Sequence, residues 1–277
     1  MEIYLANPTG LCFGVKRAIN TLEEALLLNE NVYSLGSPIH NSQEVERLKK
    51  LGLIVVKSVD DIPDNEVSFV RAHGVTAQIY SQLKAKSKKM VDGTCPFVKT
   101  AQERASALSK DGYIVVILGD VEHPEVKGIM GYASGEVYVL SEKDKIPGYL
   151  KGKKIGILSQ TTQKVASFTK LVEVIRSIAK EVKVYNTICK ATLARQEAVS
   201  KLALFVDKMI IIGGKDSANT QKLVEISLSE SIDTQWIEHP DELNRRWLKE
   251  TEKIGIAAGG STPDWLIKKL TQKLKEM

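Results

Sequence analysis

The chain has 277 residues, of which 43% are hydrophobic and 26% charged, with a net charge of +5. That balance excludes disordered, fibrous and low-complexity classes and leaves an ordinary globular protein able to bury a large core in two or three domains, or one large one. The basic excess lies in short mixed runs, KAKSKK at 84–89 and KGKK at 151–154, without interleaved aromatics, so they read as solvated turns and no nucleic acid is expected as partner. No apolar run is long enough to span a bilayer and MEIYLANPTGLCFG has no basic leader, so the expectation is a cytoplasmic protein with no membrane partner.

In chain order, EIYLANPTGL reads as a strand ending in turn formers, followed by Cys12 and the helical periodicity of CFGVKRAINTLEEAL. The strand VYSLG ends at Gly36, with His40 and Ser42 beyond it. The connector VKSVDDIPDNE then leads to the strand SFVRAHG, which carries His73. The same order returns with KKMVDGT, Cys95 opening CPFVKTAQERASAL, YIVVILG ending at Gly119, then His123 and Glu125. The connector LSEKDKIPGYLKG leads to KIGILSQTT with Thr161. It returns again with VKVYNTI, Cys189 opening CKATLARQEAVSKLAL, KMIIIGG with Gly213, then Ser217 and Asn219. The connector IEHPDELNRRWLKETE leads to KIGIAAGGST with Ser261.

Each glycine lies 24 residues after its cysteine and each polar pair at 28 and 30, so the chain is one strand–cysteine–helix–strand unit written three times. Alternating strands and helices predict an α/β fold with small, mostly parallel sheets and right-handed crossovers. Three domains are expected, related by an approximate threefold (a trefoil): 1–97 with Cys12, 98–190 flanked by Cys95 and Cys189, and 191–277.

Three cysteines without a CxxC pair are free thiols or ligands in a reducing compartment. A lone cysteine reads as a small buried hydrophobe. Three at equivalent helix starts, where dipole and unpaired N–H groups favour a thiolate, point to one shared metal centre. Three thiolates suit an iron–sulfur cubane with one open iron, and zinc held by three cysteines and a histidine is the rival. His40, His73 and His123 occupy the repeated strand-end slots beside Ser42, Thr161, Ser217, Asn219 and Ser261, a set of neutral donors suited to a phosphate. Taken singly, each histidine reads as structural. Glu125 in this setting can hold a raised pKa and serve as an acid, whereas its local sequence alone reads equally as a helix-start glutamate. His239 in EHPDEL lies outside the slots and reads as a helix-entry residue.

Together ANPTGLCFGV, the His40–Asn41 pair, RAHGV, DGTCP, EHPEVKG, SQTT, ARQEAV after Cys189, SAN at 217–219 and GGSTPD resemble the 4-hydroxy-3-methylbut-2-enyl diphosphate reductases along the whole chain. The resemblance implies a [4Fe-4S] cluster held by Cys12, Cys95 and Cys189 with one open iron that receives the substrate hydroxyl. It implies that His40, His73, His123, Ser217, Asn219 and Ser261 hold the diphosphate of an allylic substrate. Glu125 would be the proton donor, with Thr161 beside the substrate hydroxyl, and a ferredoxin or flavodoxin would supply electrons to a monomer or weak dimer. At Ala218, where the family often has serine, any contact is through the backbone, and Lys190 replaces an aromatic residue found in some members. The reading set against this one is a non-catalytic iron–sulfur or zinc protein that binds a phosphorylated ligand.

Overall fold

A computed structural model describes residues 1–249 and 251–277. The first stretch runs β1 (Glu2–Leu5), α1 (Phe13–Leu28), β2 (Val32–Leu35), α2 (Ser42–Lys49), β3 (Leu53–Val56), β4 (Val67–Val70), α3 (Ala77–Lys86) and β5 (Lys89–Asp92). It continues through α4 (Pro96–Lys110), β6 (Ile114–Leu118), α5 (Pro124–Met130), β7 (Val137–Leu140), β8 (Lys154–Ser159), α6 (Val165–Ile178) and β9 (Glu181–Val184). It ends with α7 (Lys190–Ala203), β10 (Lys208–Ile212), α8 (Ala218–Ser229), β11 (Asp233–Ile237), β12 (Lys253–Ala258) and α9 (Asp264–Lys275).

The strands form three four-stranded sheets of identical plan, β3-β2-β4-β5, β7-β6-β8-β9 and β11-β10-β12-β1, with every pair parallel. The expected α/β class with small parallel sheets is what the chain adopts. One pairing differs from the expected plan. β1 does not join the sheet of the segment it opens; it pairs with β12, from Glu2 opposite Lys253 to Leu5 opposite Ile256. In each sheet the fourth strand is therefore the one that leads into a cysteine: β5 into Cys95, β9 into Cys189 and β1 into Cys12.

Two compact units divide the chain, one of residues Met1–Lys16, Ile39–Leu48 and Lys190–Met277, the other of Arg17–Pro38 and Lys49–Cys189. The first contains the β11-β10-β12-β1 sheet, and its strand β10 is apolar and buried from Met209 to Ile212 because both faces are covered. Ile210 and Ile212 pack with Ile254, Ile256 and the α9 residues Leu266, Leu270 and Leu274, while Met209 and Ile211 pack with Val199 and Leu223 on the opposite face. α9 forms because those leucines recur at a spacing of four, with Asp264 in its first turn and Lys273 and Lys275 in its last, both favourable to the helix dipole. Each fully buried leucine there contributes about 1.5–3 kcal/mol.

The second unit contains the other two sheets. Ala101, Ala105 and Leu108 of α4 pack on Val115, Ile117 and Leu158, and a separate core joins Val56, Ile62, Val70, Val75 and Leu83. The three connectors each contain a 3-10 turn, at Val59–Asp61, Gly148–Leu150 and Pro240–Glu242. His239 caps the last of these through its side chain, which is the helix-entry role its sequence suggested. Among the described residues no helix is long and apolar enough to cross a membrane.

Candidate functional site

None of the three cysteines is in a disulfide; all are half-buried, and each stands at the start of a helix: Cys12 and Cys189 directly precede α1 and α7, and Cys95 is the N-cap of α4. The backbone repeats around them bond for bond. The N–H of Cys12 donates to Gly260 O at 2.9 Å, that of Cys95 to Ala72 O at 3.0 Å and that of Cys189 to Thr161 O at 2.9 Å. Each acceptor is the second residue after a strand end. The glycines 24 residues on match equally well, with Gly36, Gly119 and Gly213 donating to the last residue of the neighbouring strand, Val56, Leu140 and Ile237.

That register corrects one assignment. Turns closed by Gly74 N–H to Arg71 O, Gln163 N–H to Gln160 O and Thr262 N–H to Gly259 O make His73, Thr162 and Ser261 equivalent. Thr161 lies one position earlier, in the slot of Ala72 and Gly260, where its side chain turns to a different task.

That task is Glu125. Only 3% exposed, its carboxylate accepts the Thr161 N–H on Oε1 at 2.6 Å and the Thr161 hydroxyl on Oε2 at 2.8 Å. Burial pushes the Glu125 pKa up because a desolvated carboxylate is costly, and the two Thr161 hydrogen bonds draw it partly back. His123 caps α5 by accepting the Glu125 N–H on Nδ1 at 3.1 Å, so a neutral ring carries its proton on Nε2. The His73 ring stands edge-on to it at 5.5 Å between centroids. In this unit the structure brings together His73, His123, Glu125 and Thr161.

In the other unit lie Cys12, His40, Ser217, Ala218, Asn219 and Ser261. Ser217 is the N-cap of α8, its Oγ accepting from Thr220 N–H at 3.3 Å, so Ala218 and Asn219 fall in the first turn, whose N–H groups lack intrahelical acceptors. Asn219 Nδ2 and Thr220 Oγ1 are buried with no hydrogen-bond partner among the described residues. The Ser261 hydroxyl donates to His40 O at 2.9 Å, fixing the strand-end loop before α2. At Gly260 a Cβ would sit 3.6 Å from Cys12 Sγ and 3.7 Å from Asn219 Nδ2, so the missing side chain leaves an open cradle against the thiol.

These observations fit an iron–sulfur group. Three cysteines outside any disulfide stand at helix N-termini, and the cradle beside Cys12 is bordered by a buried amide donor with no acceptor among the described residues. Sequence reasoning missed several polar atoms of the same kind. Gln160 Nε2, Thr162 Oγ1 and Arg71 Nε are buried without partners among the described residues, and burial lowers the Arg71 pKa. Thr162 falls in the slot of His73 and Ser261 when the repeats are matched at their strand ends. Arg71 and Gln160 flank repeat positions and gave no signal of their own.

A family model described as "LytB protein" matches residues 3–275. The 4-hydroxy-3-methylbut-2-enyl diphosphate reductase of Campylobacter hominis is 42% identical over 278 residues, covering 100% of both chains. A solved structure described as (E)-4-hydroxy-3-methyl-but-2-enyl diphosphate reductase, the terminal enzyme of the non-mevalonate pathway, is 42% identical with a TM-score of 0.74 over 100% of both chains. That of the E-1-hydroxy-2-methyl-but-2-enyl-4-diphosphate reductase from Plasmodium falciparum is 29% identical with a TM-score of 0.90, over 99% of this chain and 88% of the other.

Proposed function

This chain belongs to the LytB family, and from that premise we propose that it reduces (E)-4-hydroxy-3-methylbut-2-enyl diphosphate with two electrons and two protons, one proton leaving with the hydroxyl as water and the other ending on carbon at either end of the allyl unit, to give isopentenyl and dimethylallyl diphosphate at the end of the non-mevalonate pathway. A [4Fe-4S] cluster held by Cys12, Cys95 and Cys189, with one iron open, would supply two electrons received from a ferredoxin or flavodoxin and a Lewis-acid contact for the hydroxyl.

The observation that carries the reading is the buried Glu125 carboxyl clasped by Thr161. Desolvation favours its neutral form, so it holds a proton at its carboxyl oxygen and gives it to the departing hydroxyl. Thr161 orients that carboxyl by donating its hydroxyl proton to Oε2, which leaves its oxygen to accept a hydrogen bond from the substrate hydroxyl. His123, protonated on Nε2, donates to a phosphate oxygen, and His40, His73, Ser217, Asn219, Ser261 and the Ala218 N–H complete the diphosphate's donors. Ser261 must turn its hydroxyl from the His40 carbonyl to do so. We retain the division at about residues 97 and 190 as three functional segments, each leading into a cysteine or following one, acting in the cytoplasm as a monomer or weak dimer.

Anaerobic purification followed by iron and sulfide analysis and turnover with a reduced viologen dye tests this. The expected result is a brown protein that forms both products, with Glu125→Gln keeping iron and substrate binding but losing most turnover. A colourless, zinc-loaded protein, or a Glu125→Gln variant as active as the wild type, overturns it.

A further inference from the structure

The sequence ARQEAV in α7 takes no part in the chemistry above, yet its arginine is only 5% exposed. Arg195 donates from Nε at 3.2 Å and from Nη2 at 2.8 Å to one acceptor, Gly10 O, and from Nη1 to Ala191 O at 3.0 Å. Gly10 lies two residues before Cys12. It holds φ at +73°, and a Cβ there would come within 2.9 Å of Ile267 Cδ1 and 3.0 Å of Asp264 Oδ1, so only glycine lets the chain present that carbonyl.

Among the described residues, the other hydrogen bonds that tie the Cys12 loop go to a single element. Ala6 N–H donates to Ile256 O, Ala258 N–H to Thr9 Oγ1 and Cys12 N–H to Gly260 O, all on β12 or the turn that follows it. Arg195 adds an attachment to a different element, α7, the helix that starts one residue after Cys189. A loop bonded along one strand end can still pivot about it; a forked grip from a second element removes that freedom.

The arrangement recurs. Arg17 of α1, the helix behind Cys12, donates from Nη1 to Thr94 O at 3.1 Å, one residue before Cys95. Arg104 of α4, the helix behind Cys95, lies over the Tyr185 ring at 4.5 Å, in the segment leading to Cys189. Each cysteine's helix thus carries an arginine that grips the approach to another cysteine. We infer that Arg195 is a positioning residue for metal ligation, fixing the Cys12 thiolate through the Gly10 carbonyl, with Arg17 and Arg104 in weaker versions of the same role. The inference rests on the reading that the three cysteines hold one iron–sulfur cluster.

The test is iron retention in the anaerobic holoprotein. In Arg195→Gln, iron release to a chelator should be about tenfold faster than in wild type, the factor given by losing ~1.4 kcal/mol of charge-assisted hydrogen bonding. The electron paramagnetic resonance signal of the reduced cluster should broaden as well. Arg195→Lys, which keeps charge without the fork, should fall between, and Arg17→Gln should show a smaller effect than Arg195→Gln. A purely structural role would lower the thermal midpoint of the apoprotein in Arg195→Gln yet leave iron release and the spectrum unchanged; that result, in either position-195 variant that folds, overturns the inference. A wild-type protein without iron and sulfide sinks the cluster reading itself and this inference with it.

Discussion

The polar groups around Glu125 and those around Asn219 are prepared in opposite ways. Glu125, Thr161 and His123 satisfy one another, with both carboxylate oxygens and the His123 Nδ1 engaged. Asn219 Nδ2 and Thr220 Oγ1 are buried with no partner among the described residues. A closed network fixes a protonation state, because the group is held in one electrostatic environment before any ligand arrives. Open donors fix affinity, because their desolvation cost is recovered only when an acceptor enters. On the proposed function, the first region would govern the rate of proton delivery and the second would govern binding.

Substitutions can separate the two. The largest effect should come from Glu125→Gln, with kcat down by about 10²–10⁴-fold, the usual range for a general acid, and affinity for inorganic diphosphate unchanged by calorimetry. Next, Asn219→Ala should weaken diphosphate binding by roughly tenfold to a hundredfold, as expected for a hydrogen bond to a charged group, while leaving kcat at saturation near wild type. If Asn219→Ala instead lowers kcat alone, the contrast between the regions fails.

A smaller effect should follow from Thr161→Val, which removes the hydroxyl but keeps the N–H. A net loss of about 1 kcal/mol slows turnover by about fivefold. Because that hydroxyl draws the Glu125 pKa down, its removal lets the pKa rise further. An acid acts while protonated, so the limb on which activity falls with rising pH should move to higher pH in Thr161→Val. A pH profile of kcat reads this directly, and movement to lower pH would contradict the assigned roles.

The smallest effect is on stability. Glu125 has a folded-state pKa raised above its ordinary 4.5, so the stability tied to its proton is complete below that unfolded value and is lost as pH rises through the folded one. At neutral pH the carboxyl is therefore a net cost. Glu125→Gln should raise the thermal midpoint by a few degrees, at about 2–4 °C per kcal/mol, with the gain shrinking toward pH 4.5.

Much of this was legible in the chain. The 24-residue interval from each cysteine to a glycine corresponds to a repeated backbone hydrogen bond, and helix starts at the cysteines followed from apolar periodicity alone. Partners at long range were not. β1 reads as a strand wherever it pairs, and its place beside β12 depends on hydrogen bonds between residues some 250 positions apart that leave no local pattern. The Thr161 slot was displaced by one residue because the repeat was aligned on polar type, whereas the register is set by where each strand stops. Arg195 lies on a helix whose buried face also holds Thr192 and Gln196, and nothing in its neighbours shows that its guanidinium closes on Gly10.

The protonation of Glu125 is the point on which the mechanism turns, and difference infrared spectroscopy of wild type against Glu125→Gln measures it most directly. The account predicts a protonated carboxyl band, absent in the variant, that persists at pH values where ordinary glutamates are ionised and shifts when Thr161 is changed to valine. A Glu125 that is already carboxylate throughout that range would contradict it.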